Sequence, residues 1–376
     1  MKMAIVCHPT YGGSGVVAAE LGMEIAKRGH DVHFVSHELP FRVDHTHENV
    51  FFHEVEVTSY PLFKYPPYGL ALASRLLDVV RRCDVRLIHV HYAIPHAISA
   101  YLTQQMCPDC GIRTITTLHG TDITLVGSDP SFAEITSFGI ANSSGVTAVS
   151  EYLAEETRRQ FGVTRDLKVI PNFVDTKRYH PDRRNAQLRA RYCPPDEALV
   201  VHVSNFRPVK RVADVIRIFA ALTKRRAAKL LMVGSGPERA LAESLAKKLG
   251  LAKQVHFVGA VPAVEELLAV CDLMLLPSES ESFGLAALEA MASGVPVIGT
   301  ASGGLPEVVI SGESGYLAKV GDIAEQSARA AEVLCDAELH QRFRRAARAR
   351  AVEQFEANQV VDVYERYYEE VMQCVK

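Results

Sequence analysis

Short, mostly aliphatic and β-branched runs recur along the chain, separated by longer stretches whose apolar positions return every three or four residues. The first series of runs is "MAIVC", "DVHFVS", "VFFHEVEV", "RLIHVHY", "RTITTL", "GVTAVS" and "LKVI". Between them lie helical patterns such as "SGVVAAELGMEIAKRG" and "YGLALASRLLDVVRRC". Alternation of this kind predicts a doubly wound parallel sheet with helices on both faces. The rhythm breaks at "IPNFVDTKRYHPDRRN", where two prolines and many charges mark a linker, and a hinge is expected at Pro171–Asp182. It then restarts with "ALVVHVS", "AKLLMVG", "VHFVG", "DLMLLP" and "VPVIGT", each followed or preceded by a helical pattern. The α/β chain is therefore expected to form two Rossmann-like domains, 1–170 and 171–355, followed by a last helical segment, 356–376.

The totals agree with two domains, since 376 residues exceed one ordinary core of roughly 150–200 residues. A net charge of −3 with dispersed basic residues argues against a nucleic-acid partner. "MKMAIVCHPTYGG" reads as a first strand, too short for a signal sequence. No stretch approaches the ~20 apolar residues of a membrane span, so a cytoplasmic protein without stable membrane association is expected. The eight cysteines are scattered and read as reduced. "CPDC" (Cys107, Cys110) could be a redox pair or half a zinc site, but it has no second C-x-x-C and sits in a loop, which favours a plain loop pair. Arg342, Arg344, Arg345, Arg348 and Arg350 could touch an anionic surface, and a solvated helix face is the simpler expectation.

Ligands of open α/β sheets sit beyond the carboxyl ends of the strands, so the loops that follow strands carry the information. In "HPTYGGSGVVAAELG", Gly12, Gly13 and Gly15 precede a helix whose free N–H groups suit a phosphate. The same loop fits G-x-G-x-x-A from Gly13 to Ala18, with Glu38 beyond the second strand, which keeps a dinucleotide dehydrogenase open. A second glycine loop, "VGSGPE", occurs in the other half, and either loop could be no more than a tight turn. "HVHYAIPHA" carries His89, His91 and His96; without carboxylate or cysteine at ligand spacing, buried histidines are favoured over a metal site. His119 ends a strand in "TTLHGTD", with Thr117, Thr121 and Asp122 crowding the same edge, so its imidazole is expected to face a ligand.

In the second half, "SNFRPVKR" places Arg207, Lys210 and Arg211 before the helix "VADVIRIFAAL". Cations there oppose the helix dipole, and an anion such as a diphosphate between them would resolve the conflict. "SESESFGLAALEA" predicts a helix from near Phe283 with Ser282 as N-cap. Glu281 would lie just outside that helix and Glu289 nearly two turns within it, bracketing an extended ligand with hydroxyls at both ends and phosphate near the helix tip. Glu279 reads as solvated.

The E-x7-E spacing from Glu281 to Glu289, the "GGSG" loop, "LHGTD" and the Arg/Lys segment together resemble the retaining glycosyltransferases of family 4, which have the GT-B fold. The resemblance covers nearly the whole chain. It implies two domains facing across a cleft, with residues 356–376 crossing back onto the first. "YPPYGLALASRL", "HVHYAIPHA", "TTLHGTDIT", "GSDPS" and "SNFRPVKRVADV" are more specific. They are similar to the members that move N-acetylglucosamine from UDP-GlcNAc to the hydroxyl of L-malate with retention, at the first step of bacillithiol biosynthesis. The resemblance implies that Gly13 meets the donor diphosphate, His119 the transferred sugar, and Arg207 and Lys210 the leaving diphosphate. It further implies that Glu281 and the backbone of Ser282, Phe283, Gly284 and Leu285 hold the sugar, that Glu289 holds the ribose, and that Asn172 belongs to the donor set. Ser14, Tyr92, Thr117 and Thr121 would hold malate. One departure is that the family's usual arginine, five residues before the lysine, is Asn205 here.

No D-x-D occurs, so neither a metal nor another cofactor is implied; Arg/Lys and helix N–H groups would carry the diphosphate charge. No carboxylate is clearly placed as a nucleophile; the resemblance implies that the acceptor attacks on the same face as the leaving group, with the phosphate oxygen taking its proton. Another acceptor, such as a lipid or small polyol, and a non-enzymatic nucleotide-sugar sensor stay open, as does a homodimer.

Overall fold

The computed structural model describes residues 1–10, 12–57, 62 and 64–374; Tyr11 of the predicted glycine loop and residues 375–376 of the predicted last segment lie outside them. The chain divides into two compact units, Met1–Asn172 with Asn358–Lys376, and Phe173–Ala357.

The first unit is a seven-stranded sheet: β1 Lys2–Val6, β2 Asp31–Ser36, β3 Val50–Glu54, β4 Leu87–His91, β5 Arg113–Leu118, β6 Gly145–Ala148 and β7 Lys168–Val169. Their order is β3-β2-β1-β4-β5-β6-β7, and every pair is parallel. The inner strands are buried on both faces, which is why they read as continuous apolar runs rather than alternating ones. Helix Tyr68–Cys83 matches its predicted span and buries Leu72, Ala73, Leu76, Val79 and Val80, one stripe at helical spacing. Helix Glu151–Phe161 starts at Ser150, whose hydroxyl accepts from the Leu153 amide, and stops at Gly162 in the left-handed region.

Helix Ala357–Gln373 belongs to this unit from Asn358 onward. Tyr364 and Tyr368 are buried in it, and the Tyr368 hydroxyl lies 2.9 Å from His89 Nδ1. Outside that contact, Arg28 pairs with Asp362 and Glu365, and His30 Nε2 lies 3.0 Å from Glu365 Oε1.

The second unit is a six-stranded parallel sheet: β8 Ala198–Val203, β9 Ala228–Val233, β10 Val255–Gly259, β11 Leu273–Leu276, β12 Val297–Thr300 and β13 Gly315–Ala318, in the order β10-β9-β8-β11-β12-β13. Both sheets reverse their winding beside the first strand of the unit, between β1 and β4 and between β8 and β11. Open sheets of this kind bind ligands at that point. The sequence pattern does not reveal β13, which is short and begins with a glycine. Gly315 is there because a Cβ would lie 2.1 Å from the Val297 carbonyl oxygen.

Two other expectations are corrected, and for a third feature one of the two readings is favoured. Cys107 and Cys110 are joined as a disulfide, so the reading of all cysteines as reduced and of "CPDC" as a plain loop pair does not hold there. The arginine run is only partly solvated: Arg342 and Arg345 are exposed. Arg348 donates to the carbonyls of Thr176, Tyr179 and Ala292, and Arg350 to those of Glu307 and Val308. Lastly, the glycines of "VGSGPE" serve packing. A Cβ on Gly234 or Gly236 would lie 1.8 or 1.9 Å from the carbonyl oxygen of Ser204 or Asn205.

Candidate active site

At the β8–β11 switch point the two following loops are tied together. His202 near the end of β8 is fully buried, with Nδ1 2.8 Å from the Leu275 carbonyl and Nε2 2.8 Å from Ser204 Oγ. Ser204 Oγ also accepts from the Phe206 amide. Its own proton is thus free for His202 Nε2, which fixes the neutral ring with its hydrogen on Nδ1. Burial pushes the His202 pKa down to about 4. The loop continues through a single turn, Pro208–Lys210, and the Val209 carbonyl accepts from the Glu279 amide at 2.8 Å.

This tie brings Lys210 to Glu281. Lys210 Nζ donates to Glu281 Oε1 at 2.7 Å, and the buried Ser278 hydroxyl donates to the same oxygen at 2.7 Å. Lys210 has three N–H donors, so two stay available for phosphate oxygens. Arg207 is exposed, and among the described residues no carboxylate pairs with it. Arg211 differs from expectation: it pairs with Asp214 in the first turn of helix Val212–Leu222, and Arg217 shares that carboxylate. The cations are therefore not unopposed at that helix, since the buried Asp214 answers the dipole.

The acidic stretch also differs in detail. The helix is Leu285–Ala292, capped by Gly284 at φ 102, so neither Phe283 nor Ser282 begins it. Phe283 is buried and packs edge-on against Phe355 at 5.7 Å, which holds it out of the helix. Only a glycine reaches the left-handed turn that follows without strain. Glu289 is one turn inside rather than nearly two, and its carboxylate accepts from the Tyr179 hydroxyl at 2.8 Å. Glu279 is exposed, in keeping with a solvated side chain.

Gly303 fixes the backbone of Glu281. The Gly304 amide donates to the Glu281 carbonyl at 2.7 Å, and a Cβ on Gly303 would lie 2.0 Å from that oxygen. Gly303→Ala is expected to cost about 2 kcal/mol or more in stability, through this clash and φ +63, and to cut transfer at least about tenfold. Urea unfolding and initial rates on the same preparation measure both. Full activity would mean that the placement of Glu281 does not matter.

In the first unit, Gly13 caps helix Ser14–Lys27 at φ 63 with open space around it, and the first turn carries no acid. Gly15 is different: a Cβ would meet the His8 carbonyl at 2.3 Å, so it serves packing. Ser14 is half-buried at the helix start.

Within the same unit, Asp122 organises the loops after β4 and β5, beside the β1–β4 switch point. Its fully buried carboxylate accepts from the amides of His119, Gly120 and Ala93 at 3.1, 2.8 and 3.1 Å, joining the loops after β4 and β5. Burial still pushes its pKa up to about 6, against the lowering effect of those donors. The peptide it holds follows Tyr92, whose φ of 90 is a strained value for a non-glycine residue. His119 is buried, with Nε2 2.8 Å from His91 Nδ1, and burial pushes its pKa down to about 3, so it is neutral.

Thr121 is half-buried in the first turn of helix Thr121–Thr124. Thr117 does not share that edge. Its hydroxyl is buried between His89 Nε2 and Thr147 Oγ1 at 2.7 and 2.6 Å, and only its carbonyl, which accepts from the Tyr92 amide, reaches the loop. A central-strand hydroxyl with both neighbours engaged has no free direction left for a ligand.

His89, His91 and His96 are buried with partners in the protein, as expected. Asn172 lies in the first unit, although the sequence placed it in the donor domain; it is buried and its Oδ1 has no partner among the described residues. Ser278, Tyr179 and Asp122 were not assigned roles from the sequence. Ser278 stood in the right stretch, three residues before Glu281, whereas Tyr179 meets Glu289 across 110 positions of chain.

The family model for Glycosyltransferase Family 4 matches residues 11–178, and that for Glycosyl transferases group 1 matches residues 185–350. The chain is 48% identical over 373 residues to the N-acetyl-alpha-D-glucosaminyl L-malate synthase of Bacillus anthracis, covering 99% of this chain and 97% of that one. It is 30% identical over 278 residues to a GDP-mannose-dependent alpha-(1-6)-phosphatidylinositol monomannoside mannosyltransferase of Mycolicibacterium smegmatis, covering 70% and 71%. Among solved structures, a glycosyltransferase from Rickettsia africae superposes with a TM-score of 0.82 at 19% identity, over 100% of this chain and 99% of that one. HepE of Anabaena in complex with UDP gives 0.81 at 19%, over 98% and 100%. These last two show the fold alone, which is GT-B. A relative nearly half identical from end to end, together with matches in both units, replaces the dehydrogenase alternative with one assignment: this chain belongs to the family 4 glycosyltransferases and is an enzyme of sugar transfer.

Proposed function

We propose that the enzyme transfers N-acetylglucosamine from UDP-GlcNAc to the hydroxyl of L-malate, with retention and in the cytoplasm. The observation that carries this reading is the 48% identity, across 99% of the chain, to the Bacillus anthracis protein of that name. The second unit supplies the donor chemistry. When the bond from sugar C1 to the β-phosphate oxygen breaks, the electron pair leaves with UDP. Lys210, Arg207 and the free amides of helix Leu285–Ala292 stabilise that charge. Glu281 pre-orders Lys210 and binds a sugar hydroxyl with its remaining acceptor capacity; Glu289 binds the ribose.

The first unit supplies the acceptor side. Ser14, Tyr92 and Thr121 lie in the loops at the β1–β4 switch point of that unit, and the neutral ring of His119 is assigned to the transferred sugar. The malate hydroxyl attacks C1 on the face that UDP leaves, and its proton passes to the departing phosphate oxygen. Charge neutralisation by Arg and Lys makes an added metal ion unnecessary for this step.

UDP release from UDP-GlcNAc, with chelator present, is expected to depend on L-malate and to give an α-linked product. Release indifferent to malate would keep the donor and overturn the acceptor. Loss of turnover with chelator, restored by Mg2+ rather than by Zn2+, would overturn the metal-independent step.

A further inference from the structure

We propose that His33, His53 and Cys83 form a zinc-binding site in the first unit, apart from the sugar-transfer machinery. The three side chains come from three elements. His33 is on β2, His53 is on the edge strand β3, and Cys83 is the last residue of helix Tyr68–Cys83, which packs over that face of the sheet. In register, His33 opposes Phe51 and His53 opposes Val35, so both imidazoles point to the same side. Their ligand atoms and the Cys83 sulfur all lie within 4.8 Å of one another. His33 Nδ1 is 2.9 Å from His53 Nε2, and the rings are stacked at 5.1 Å.

The setting favours a cation over a merely structural histidine pair. His33 is only 4% exposed, and Phe51 stacks on its ring at 4.7 Å, which holds it away from water. The Cys83 thiol makes no hydrogen bond among the described residues and is not in a disulfide. Neutral imidazoles are the form that binds metals, and burial lowers the pKa of both rings. The charges acting on His53 are Arg75 and Asp78, which pair with each other at 3.0 Å, and those acting on His33 are Asp31 and, more weakly, Lys2, so at each ring a carboxylate opposes the positive charge. Two imidazole nitrogens and a thiolate are a donor set for a borderline metal, which selects zinc over magnesium or calcium.

Tetrahedral zinc with Zn–N near 2.0–2.1 Å places two nitrogens about 3.3 Å apart. The rings must therefore part by only a few tenths of an ångström. On binding, the imidazole that holds the hydrogen between the rings moves it to its other nitrogen. The Cys83 thiol gives its proton to solvent as the Zn–S bond forms, and a water takes the fourth position. The ion would then clamp the edge strand to β2 and to the end of the covering helix.

The test uses the full chain stripped with chelator and titrated with Co2+ as a spectroscopic stand-in for Zn2+. One equivalent is expected, with a thiolate-to-cobalt charge-transfer band that Zn2+ abolishes. Cys83→Ser should remove the band, and His53→Ala should weaken binding at least about tenfold, with circular dichroism unchanged. No charge-transfer band, or one that survives in Cys83→Ser through exposed Cys335 or Cys374, overturns the proposal. If either variant misfolds, alkylation of the unaltered chain decides. Zn2+ should protect Cys83 selectively, and equal labelling with and without Zn2+ overturns the site.

Discussion

Replacing Lys210 by alanine is expected to lower kcat for sugar transfer by about 10²–10³-fold, the usual loss when one pre-ordered stabiliser of developing charge is removed. The lysine is held before substrate arrives, because Glu281 and Ser278 fix its position at the β8–β11 switch point. Stabilisation that needs no rearrangement during the reaction is worth more than the same charge on a mobile chain. The loss should fall on kcat more than on KM, since the β-phosphate gains charge mainly as the bond breaks. Glu281→Gln tests the other half of the pair. It keeps one acceptor oxygen but removes the charge that orients the ammonium, so it should lose rate while still binding UDP. Steady-state kinetics with UDP binding measured in parallel separates these effects. Near-normal kcat in Lys210→Ala would move the charge-stabilising role to Arg207 and the helix amides.

The second large effect is acid lability of the first unit. His89, His96 and His119 are buried and held down to about 3, by burial above all; His91 is lowered as well. In the unfolded chain each returns to about 6.5. The unfolded state therefore binds more protons throughout that range. The stability these neutral rings contribute is fully present above pH about 6.5 and is lost as pH falls below it. Asp122 acts in the opposite direction. Its folded pKa of about 6 exceeds the ordinary carboxyl value of 3.8, so its contribution is present below 3.8 and lost as pH rises through about 6. It offsets one histidine's share between those limits. The three histidines held to about 3, less Asp122, give a slope of roughly 3 kcal/mol per pH unit between about pH 6 and 4, to which His91 adds in the same direction; this is large against a typical total of about 5–15 kcal/mol. Urea unfolding at about pH 7.5 and about pH 5.5 reads this directly, and equal midpoints would refute it.

Both sheets and most strand limits were legible because parallel strands buried on both faces are continuous apolar runs. Helix Tyr68–Cys83 was equally plain from its apolar stripe. The start of helix Leu285–Ala292 was misread because serine is a better N-cap than glycine on local grounds. The burial of Phe283 against Phe355, 72 positions away in the chain, overrode that preference. Thr117 was misplaced for a related reason: strand alternation tells which residues share a face, and the engagement of a hydroxyl by His89 and Thr147 depends on neighbouring strands. The pairing of Lys210 with Glu281 was implied by chemistry, since both were assigned to one ligand. Its geometry was set by the switch point, and strand order is not written in any single segment. The meeting of His33, His53 and Cys83 lies beyond sequence reading for the same reason.

The first unit is discontinuous in the chain, and this bears on how the protein is made. Residues 1–172 leave the ribosome first, yet Tyr364 and Tyr368 arrive only after all of Phe173–Ala357 has been synthesised. Until then His89 lacks the Tyr368 hydroxyl, and Arg28 lacks Asp362 and Glu365. The nascent first unit must wait with one flank of its core uncovered, whereas every residue of the second is present once Ala357 has been added. Translation order therefore makes the second unit the earlier to mature, although it is encoded later.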